Sequence, residues 1–178
     1  MKPTHLKLAL ILILGMFSTF LSAQTIQKLG QHRVGSHTYT VSKYGNKGRI
    51  SVQEKSNVIT RVRDNSHDLT NIEFPSVSSK ETVNSAFIKV LGKERIKELL
   101  PERHVLLILH YNTGGKTVGV EFILNNDTGL TLKEINKLTK FIEENVTFNI
   151  PSDTKIRSEL CTPMMQVIKF KKLLYNEN

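Results

Sequence analysis

The sequence contains no tryptophan, one cysteine and five prolines in 178 residues. Without tryptophan, the chain offers no indole ring on which a sugar or a quaternary ammonium group could stack. The single cysteine, Cys161, cannot form an internal disulfide, so the fold must rely on its hydrophobic core. Because 39% of the residues are hydrophobic and 23% are charged, the composition is that of a globular chain large enough for one compact domain.

Sequence motifs of catalysis and cofactor binding are missing as well. The chain has no Gly-x-Ser-x-Gly elbow, no P-loop and no Gly-x-Gly-x-x-Gly segment. No His-x-x-x-His spacing occurs, and His104 and His110 lie too far apart along one predicted strand to share a metal ion. Glu143 and Glu144 are adjacent on a predicted helix, so they diverge by about 100° and are expected on a solvated face. We therefore expect a protein that is not an enzyme and holds no cofactor and no metal.

The N-terminus has the pattern of a secretory signal peptide. Lys2 and Lys7 precede an apolar stretch, residues 8–17, and Leu21-Ser22-Ala23 precedes Gln24. The alternative is a retained membrane anchor, but the stretch is short for a span of about 20 apolar residues. We predict cleavage after Ala23, export, and no transmembrane span in the mature chain.

Positive charge is concentrated near the start of the mature chain. Residues 24–63 contain eight basic residues against Glu54 alone, whereas the residues from 64 onward carry 15 basic and 15 acidic side chains. This asymmetry predicts binding to an anionic partner outside the cytoplasm, namely lipid headgroups, an acidic glycan or an acidic envelope protein, and not nucleic acid. The alternative is that these residues contact acids of the C-terminal region or only confer solubility. The residues predicted to bind the partner are Lys43, Lys47, Arg49, Arg61 and Arg63.

Alternating apolar residues predict a small antiparallel β meander over residues 31–63. One strand contains Tyr39 and Val41, a second contains Ile50 and Val52, and a third covers residues 58–62. Residues 64–77 are polar and are expected to form a connecting loop. The predicted organisation is a signal peptide over residues 1–23, a meander and loop over 24–77, and a second domain over 78–178.

The second domain is predicted to have the order helix, strand, strand, helix, strand. Ser78 with Glu81 and Thr131 with Glu134 form capping boxes that start the helices, and Gly92 is expected to end or kink the first. The predicted strands are 103–111, 117–124 and 164–173. Residues 103–111 are apolar on both faces, which is typical of a central strand. The fold class is therefore α+β, with two helices on a three-stranded antiparallel sheet and 103–111 in the middle.

Residues 80–174 resemble the C-terminal domain of TonB, a periplasmic protein that transmits force to outer-membrane receptors. Residues 107–116, LILHYNTGGK, are similar to the strand–Asp/Asn–Gly–Lys–strand segment of that family. The helix 131–145 followed by Phe148-Asn149-Ile150-Pro151, and the closing Val167-Ile168-Lys169-Phe170, are similar to its later elements. The resemblance implies the fold and a place in the periplasm or outside a Gram-negative bacterium. We do not extend it to force transmission, because the chain has no proline-rich spacer.

Two classes of function remain open. The first is a non-enzymatic binding or adaptor module of the bacterial envelope that acts through a sheet edge or the basic β meander. The second is a periplasmic enzyme inhibitor, or an enzyme whose site contains no recognisable motif. A structural cleft lined by histidine, aspartate or glutamate would favour the second class.

Overall fold

The fold is given by a computed structural model that describes residues 26, 28–45, 48–55, 76–77, 79, 81–112, 114–149 and 162–175. The predicted signal peptide, the predicted strand 58–62, Cys161 and three of the predicted site residues (Lys47, Arg61 and Arg63) lie outside these ranges. None of the helices in the described ranges is long and apolar enough to cross a membrane.

The described residues form eight strands and three α-helices, which are β1 Gly30–Val34, β2 His37–Tyr44, β3 Arg49–Glu54, β4 Ser76–Val77, α1 Val83–Glu98, β5 His104–Tyr111, β6 Thr117–Asn125, α2 Leu132–Asn145, β7 Phe148–Asn149, β8 Thr162–Lys169 and α3 Phe170–Tyr175. A short 3-10 helix, Leu100–Glu102, precedes β5. Six strands form one antiparallel sheet in the order β1-β2-β3-β6-β5-β8, and the short strands β4 and β7 pair separately.

The predicted middle strand is confirmed, but the predicted three-stranded sheet is too small. β5 pairs with β6 on one side and with β8 on the other, both antiparallel. The free edge of β6 then pairs with β3, with Val52 opposite Phe122, so the meander continues the same sheet. Residues on both sides of the predicted boundary at 77/78 therefore share one sheet.

The helix starts agree only in part with the prediction. The cap of α1 is Thr82, whose Oγ1 accepts the Ser85 N–H (3.1 Å), so the prediction of Ser78 as the cap is wrong. Glu81 instead accepts a hydrogen bond from the Ser85 hydroxyl (2.8 Å). The Thr131–Glu134 capping box of α2 and the interruption of α1 at Gly92 are confirmed.

The last predicted strand ends early, and a third helix follows it. β8 stops at Lys169, and Phe170 begins α3. Phe170 and Leu173 are both buried at helical spacing, and the Phe170 ring meets the Phe87 ring of α1 edge-on (6.2 Å between centroids). Ile168 and Phe170 fit a strand as well as this strand-to-helix junction, so alternation could not predict where the strand ends.

The three helices contribute to one core on a single face of the sheet, which we call the inner face. That core contains Tyr39, Val52 and Phe122 from the strands together with Phe87 and Leu138 from the helices. The opposite side is called the outer face. Ile123 lies there and is 2% exposed, yet it does not belong to the helix-side core. The outer face is therefore buried at its centre.

Candidate functional site

The structure separates the two predicted site residues that it describes. Lys43 pairs with the core residue Ile50, whereas Arg49 pairs with Tyr44. Because residues directly opposite in an antiparallel pair share a face and neighbours along a strand alternate, Lys43 is on the inner face and Arg49 is on the outer face. They lie at one hairpin end but point to opposite sides of the sheet.

Four basic residues mark the two ends of the outer face. Arg33 is opposite Thr38, and the Lys55 N–H continues that row by donating to the Thr38 carbonyl (2.7 Å). At the other end, Arg49 is opposite Asn125, and Lys169 of β8 is opposite His104 in the same row. The six residue steps from Arg49 to Lys55 separate the two ends by about 20 Å. Sequence reasoning missed Lys169 because it lies far outside residues 24–63.

The acidic counterpart of these residues is buried. Among the described strand residues of the outer face, Glu121 is the one carboxylate, and it is 3% exposed. It accepts a hydrogen bond from the Ser51 hydroxyl (2.5 Å) on the neighbouring strand. Arg33, Lys55 and Lys169 are exposed and Arg49 is half-buried, so the charge that the described outer face presents to solvent is positive.

An apolar patch lies on the β8 side of the outer face. Met165 is 58% exposed and Val167 is 52% exposed, and they lie opposite Ile108 and Leu106 of β5, which are half-buried. Large apolar side chains exposed next to each other are typical of an interaction surface, more so than single exposed ones. The patch adjoins Lys169, so the outer face combines positive charge with exposed apolar area.

The backbone edge of β8 is a second candidate surface. Within the described part of the chain, β8 pairs with β5 alone and is the last strand of the sheet order. Natural edge strands avoid further pairing through short length, proline or central charges. β8 has eight residues, and the five from Met164 to Ile168 include no charge and no proline. The central residues of β8 therefore carry none of the features that prevent a further strand from pairing with this edge.

A cluster of ionisable side chains joins α2 to strands β2 and β3, and no pattern in the sequence indicates it. The His37 Nδ1 lies 2.6 Å from the Glu54 Oε1, and both side chains are partly exposed. Burial, and then the charge of Glu54, raise the pKa of Glu143 to about 7, whereas His37 and Lys116 act in the opposite direction. The prediction that Glu143 lies on a solvated face is therefore wrong, because the strand carrying Glu54 is adjacent only in the folded chain.

Tyr39 completes this cluster from the sheet side. Its hydroxyl donates to the Asn136 Oδ1 of α2 (3.0 Å), and burial raises the pKa of Tyr39 well above its usual range. A carboxyl group that changes protonation near neutral pH, next to a second carboxylate and a histidine, has the groups that general acid–base catalysis requires. The cluster is thus the part of the described structure most compatible with an enzyme.

The histidines of β5 do not form a metal site with other ligands in the described ranges. His104 is exposed and His110 is buried, and both lie on the outer face. Across the described residues, no three histidine, cysteine, aspartate or glutamate side chains are grouped as metal ligands.

Comparison with known proteins shows the fold alone. No protein-family profile matches the chain, and no curated protein matches it. Among solved structures, a DUF5043 family protein from Bacteroides uniformis ATCC 8492 is similar, with a TM-score of 0.58 and 13% identity, over 80% of this chain and 85% of that one. The α+β fold with a mainly antiparallel sheet is therefore one that a solved bacterial protein also has.

Replacing Glu143 with glutamine is expected to stabilise the protein in a pH-dependent way. Between the ordinary carboxyl pKa of 4.5 and about 7, the folded chain binds more protons at Glu143 than the unfolded chain, so the free energy of unfolding falls as pH rises. Above pH 7 the cost of ionising Glu143 is fully present, and Glu143→Gln should raise the melting temperature there. Below pH 4.5 the carboxyl is protonated in both states, so the variant should have little effect.

The control for this experiment is Glu144→Gln, which removes a neighbouring but exposed carboxylate from the same helix. It is expected to change the melting temperature little at either pH. An equal gain from Glu143→Gln in acid and in base would contradict the linkage argument.

Proposed function

We propose that this protein is a non-enzymatic, exported binding module of the bacterial envelope whose outer sheet face binds an anionic lipid surface. The observation that carries the proposal is that Arg33, Arg49, Lys55 and Lys169 flank the buried centre of one sheet face, on which the carboxylate of the described strands is buried. The signal-peptide pattern and the TonB-like segment support a location in the periplasm or outside a Gram-negative cell. Lys47, Arg61 and Arg63, which lie outside the described residues, remain predicted to bind the anionic partner, whereas Lys43 is on the inner face.

A lipid surface is favoured over an acidic glycan or protein because the cations adjoin exposed apolar side chains. Met165 and Val167 can enter the boundary between headgroups and acyl chains while Lys169 remains at the headgroups. Each lysine or arginine near an anionic surface contributes about 1 kcal/mol. Four such residues give about 4 kcal/mol, which corresponds to a dissociation constant near the millimolar range for one copy of the chain.

The test is binding of the mature chain to vesicles with and without anionic lipid. Arg49→Glu/Lys169→Glu, on the outer face, is expected to weaken binding at least about tenfold. The matched control is Lys43→Glu/Lys137→Glu, which makes the same change in net charge on the inner-face side, since Lys137 is exposed on α2. It is expected to bind within about twofold of the wild type because its charges do not face the lipid.

Ionic strength provides a second criterion. Binding through exposed charges should weaken once the Debye length falls to about 8 Å, near physiological salt. Equal binding by the outer-face and inner-face variants at low salt would rule out this surface. Binding to an acidic polysaccharide without binding to vesicles would identify a glycan instead.

The alternative function is an enzyme or an enzyme inhibitor, and it is supported by the cluster of His37, Glu54 and Glu143. If the protein hydrolyses a substrate through this cluster, the pH profile of the wild type should show an inflection near pH 7, and Glu143→Gln should abolish the activity. The outer-face variant should leave such an activity intact, so the two functions can be separated.

A further inference from the structure

We propose that two copies of this chain pair through β8, edge to edge and antiparallel, about a two-fold axis at Gln166. The result is one continuous sheet of twelve strands, formed from the six-stranded sheet of each copy. The pairing is a property of the β8 edge and goes beyond the proposed function.

The side chains of β8 determine which pairing is favourable. A two-fold axis perpendicular to the sheet keeps the helices of both copies on one side. It places even-numbered residues of β8 opposite even-numbered residues of the partner's β8, and odd-numbered residues opposite odd-numbered ones. With the axis at Gln166, Met165 lies opposite the partner's Val167, and Met164 lies opposite the partner's Ile168. Apolar residues therefore meet apolar residues on both faces, and the two exposed side chains of each copy become cross-strand neighbours.

Neighbouring registers match less well. An axis at Val167 places Met165 opposite the partner's Lys169, so a charged side chain adjoins the apolar patch. An axis at Met165 places Met164, which is buried, opposite the partner's Gln166. The register at Gln166 is the one of these three that pairs apolar with apolar and amide with amide.

Positive charge does not oppose this pairing. With the axis at Gln166, Lys169 lies opposite the partner's Pro163, and the two copies of Lys169 are six residue steps apart along the paired strands. That separation is about 20 Å, beyond the Debye length of about 8 Å at physiological salt. A central lysine in β8, which would prevent such pairing, is absent.

The dimer has a consequence for lipid binding. Because the axis is perpendicular to the sheet, both helical layers lie on one side and both outer faces on the other. Two copies of the basic rows then face one surface, so the weak binding of a single copy is converted into bivalent binding. This consequence rests on the proposed function, whereas the dimer does not.

The experiment is a charge swap at the axis, measured by sedimentation velocity without lipid. Gln166→Lys and Gln166→Glu each place like charges directly opposite, so each variant alone is expected to be a monomer where the wild type is a dimer. An equal mixture of the two variants is expected to restore the dimer, because opposite charges then face each other. This restoration depends on the proposed register.

Two further variants test whether a charge disrupts the dimer only when it is placed on the β8 edge. Val167→Lys introduces a charge at an exposed position of the edge and should also give a monomer, whereas Leu29→Lys, at another exposed apolar residue, should remain a dimer. A wild type that stays monomeric at about 100 μM overturns the proposal, since specific dimers form well below that concentration. The register is overturned if Val167→Lys disrupts the dimer but the two Gln166 variants do not. It is also overturned if the mixture of the two Gln166 variants stays monomeric.

Discussion

Gly115→Ala is expected to lower the free energy of unfolding by at least about 3 kcal/mol. Gly115 has a φ of +75°, in the left-handed region that favours glycine. An alanine Cβ there would lie 2.0 Å from the backbone oxygen of Phe148, so the backbone itself would have to move. Both effects act on one residue, and neither can be relieved by a side-chain rotation.

Moving the backbone at Gly115 is unfavourable because its own hydrogen bonds join the turn at Asn112 to β7. Its carbonyl accepts the Phe148 N–H (2.8 Å), and its own N–H donates to the Asn112 carbonyl (2.9 Å). Two residues later, the Thr117 hydroxyl donates to the Val146 carbonyl just after α2 (2.8 Å). Displacing Gly115 therefore disturbs the attachment of the β5–β6 hairpin to the end of α2.

Gly35→Ala is the matched control for this experiment. Gly35 has a φ of +60°, but no atom lies within 4 Å of the position of its Cβ. Its substitution therefore contributes backbone strain alone, about 1 kcal/mol. In thermal melts, Gly115→Ala should lower the melting temperature by about 6–12 °C, and Gly35→Ala by a few degrees. Equal losses would show that the approach to Phe148 has no energetic consequence.

Sequence patterns predicted the helices and strands that are specified by residues close to one another in the chain. The Thr131–Glu134 capping box marks the start of α2, and the two-sided apolar pattern of 103–111 identifies the central strand. The pairing of β3 with β6 could not be predicted, because it depends on which of several alternating strands meets the free edge of β6. The alternation of Ile50 and Val52 is compatible with a separate meander and with a continued sheet.

The composition of the sequence predicted part of the candidate site but not which of its residues share a sheet face. The excess of positive charge in residues 24–63 predicted where cations would be frequent, and Arg33, Arg49 and Lys55 belong to that segment. Which of them share a face depends on strand register, which separates Lys43 from Arg49 and adds Lys169 from the other end of the chain. Register is set by long-range pairing, so composition alone could not assign this surface.

Phe170→Ala is expected to lower the free energy of unfolding by about 3–5 kcal/mol. Phe170 is fully buried, and its ring packs edge-on against Phe87 of α1. Its N–H donates to the Arg103 carbonyl (3.2 Å), so the junction between β8 and α3 is attached to the residue that precedes β5. Removing the ring leaves a cavity between α1 and α3 at the point where the chain leaves the sheet.

Two control variants divide this loss into its causes. Phe170→Leu keeps most of the buried apolar volume and removes the ring contact, which is worth about 0.5–1.5 kcal/mol beyond burial. Tyr175→Ala removes a large side chain of the same helix that is 63% exposed, and surface substitutions of this kind stay within about 0.5 kcal/mol. Chemical denaturation should therefore rank the losses as Phe170→Ala, then Phe170→Leu, then Tyr175→Ala.

Hydrogen exchange can locate the effect of Phe170→Ala. Because Phe170 directly follows β8, amide protection should fall first in α3 and in the C-terminal half of β8, while the Met164 end of the strand stays protected. This half of β8 contains Val167 and Lys169, so the same variant should weaken the β8-mediated dimer. The contrary result is a loss of stability that is spread evenly over the sheet and leaves the dimer unchanged. It would show that pairing through the β8 edge does not depend on the packing of Phe170.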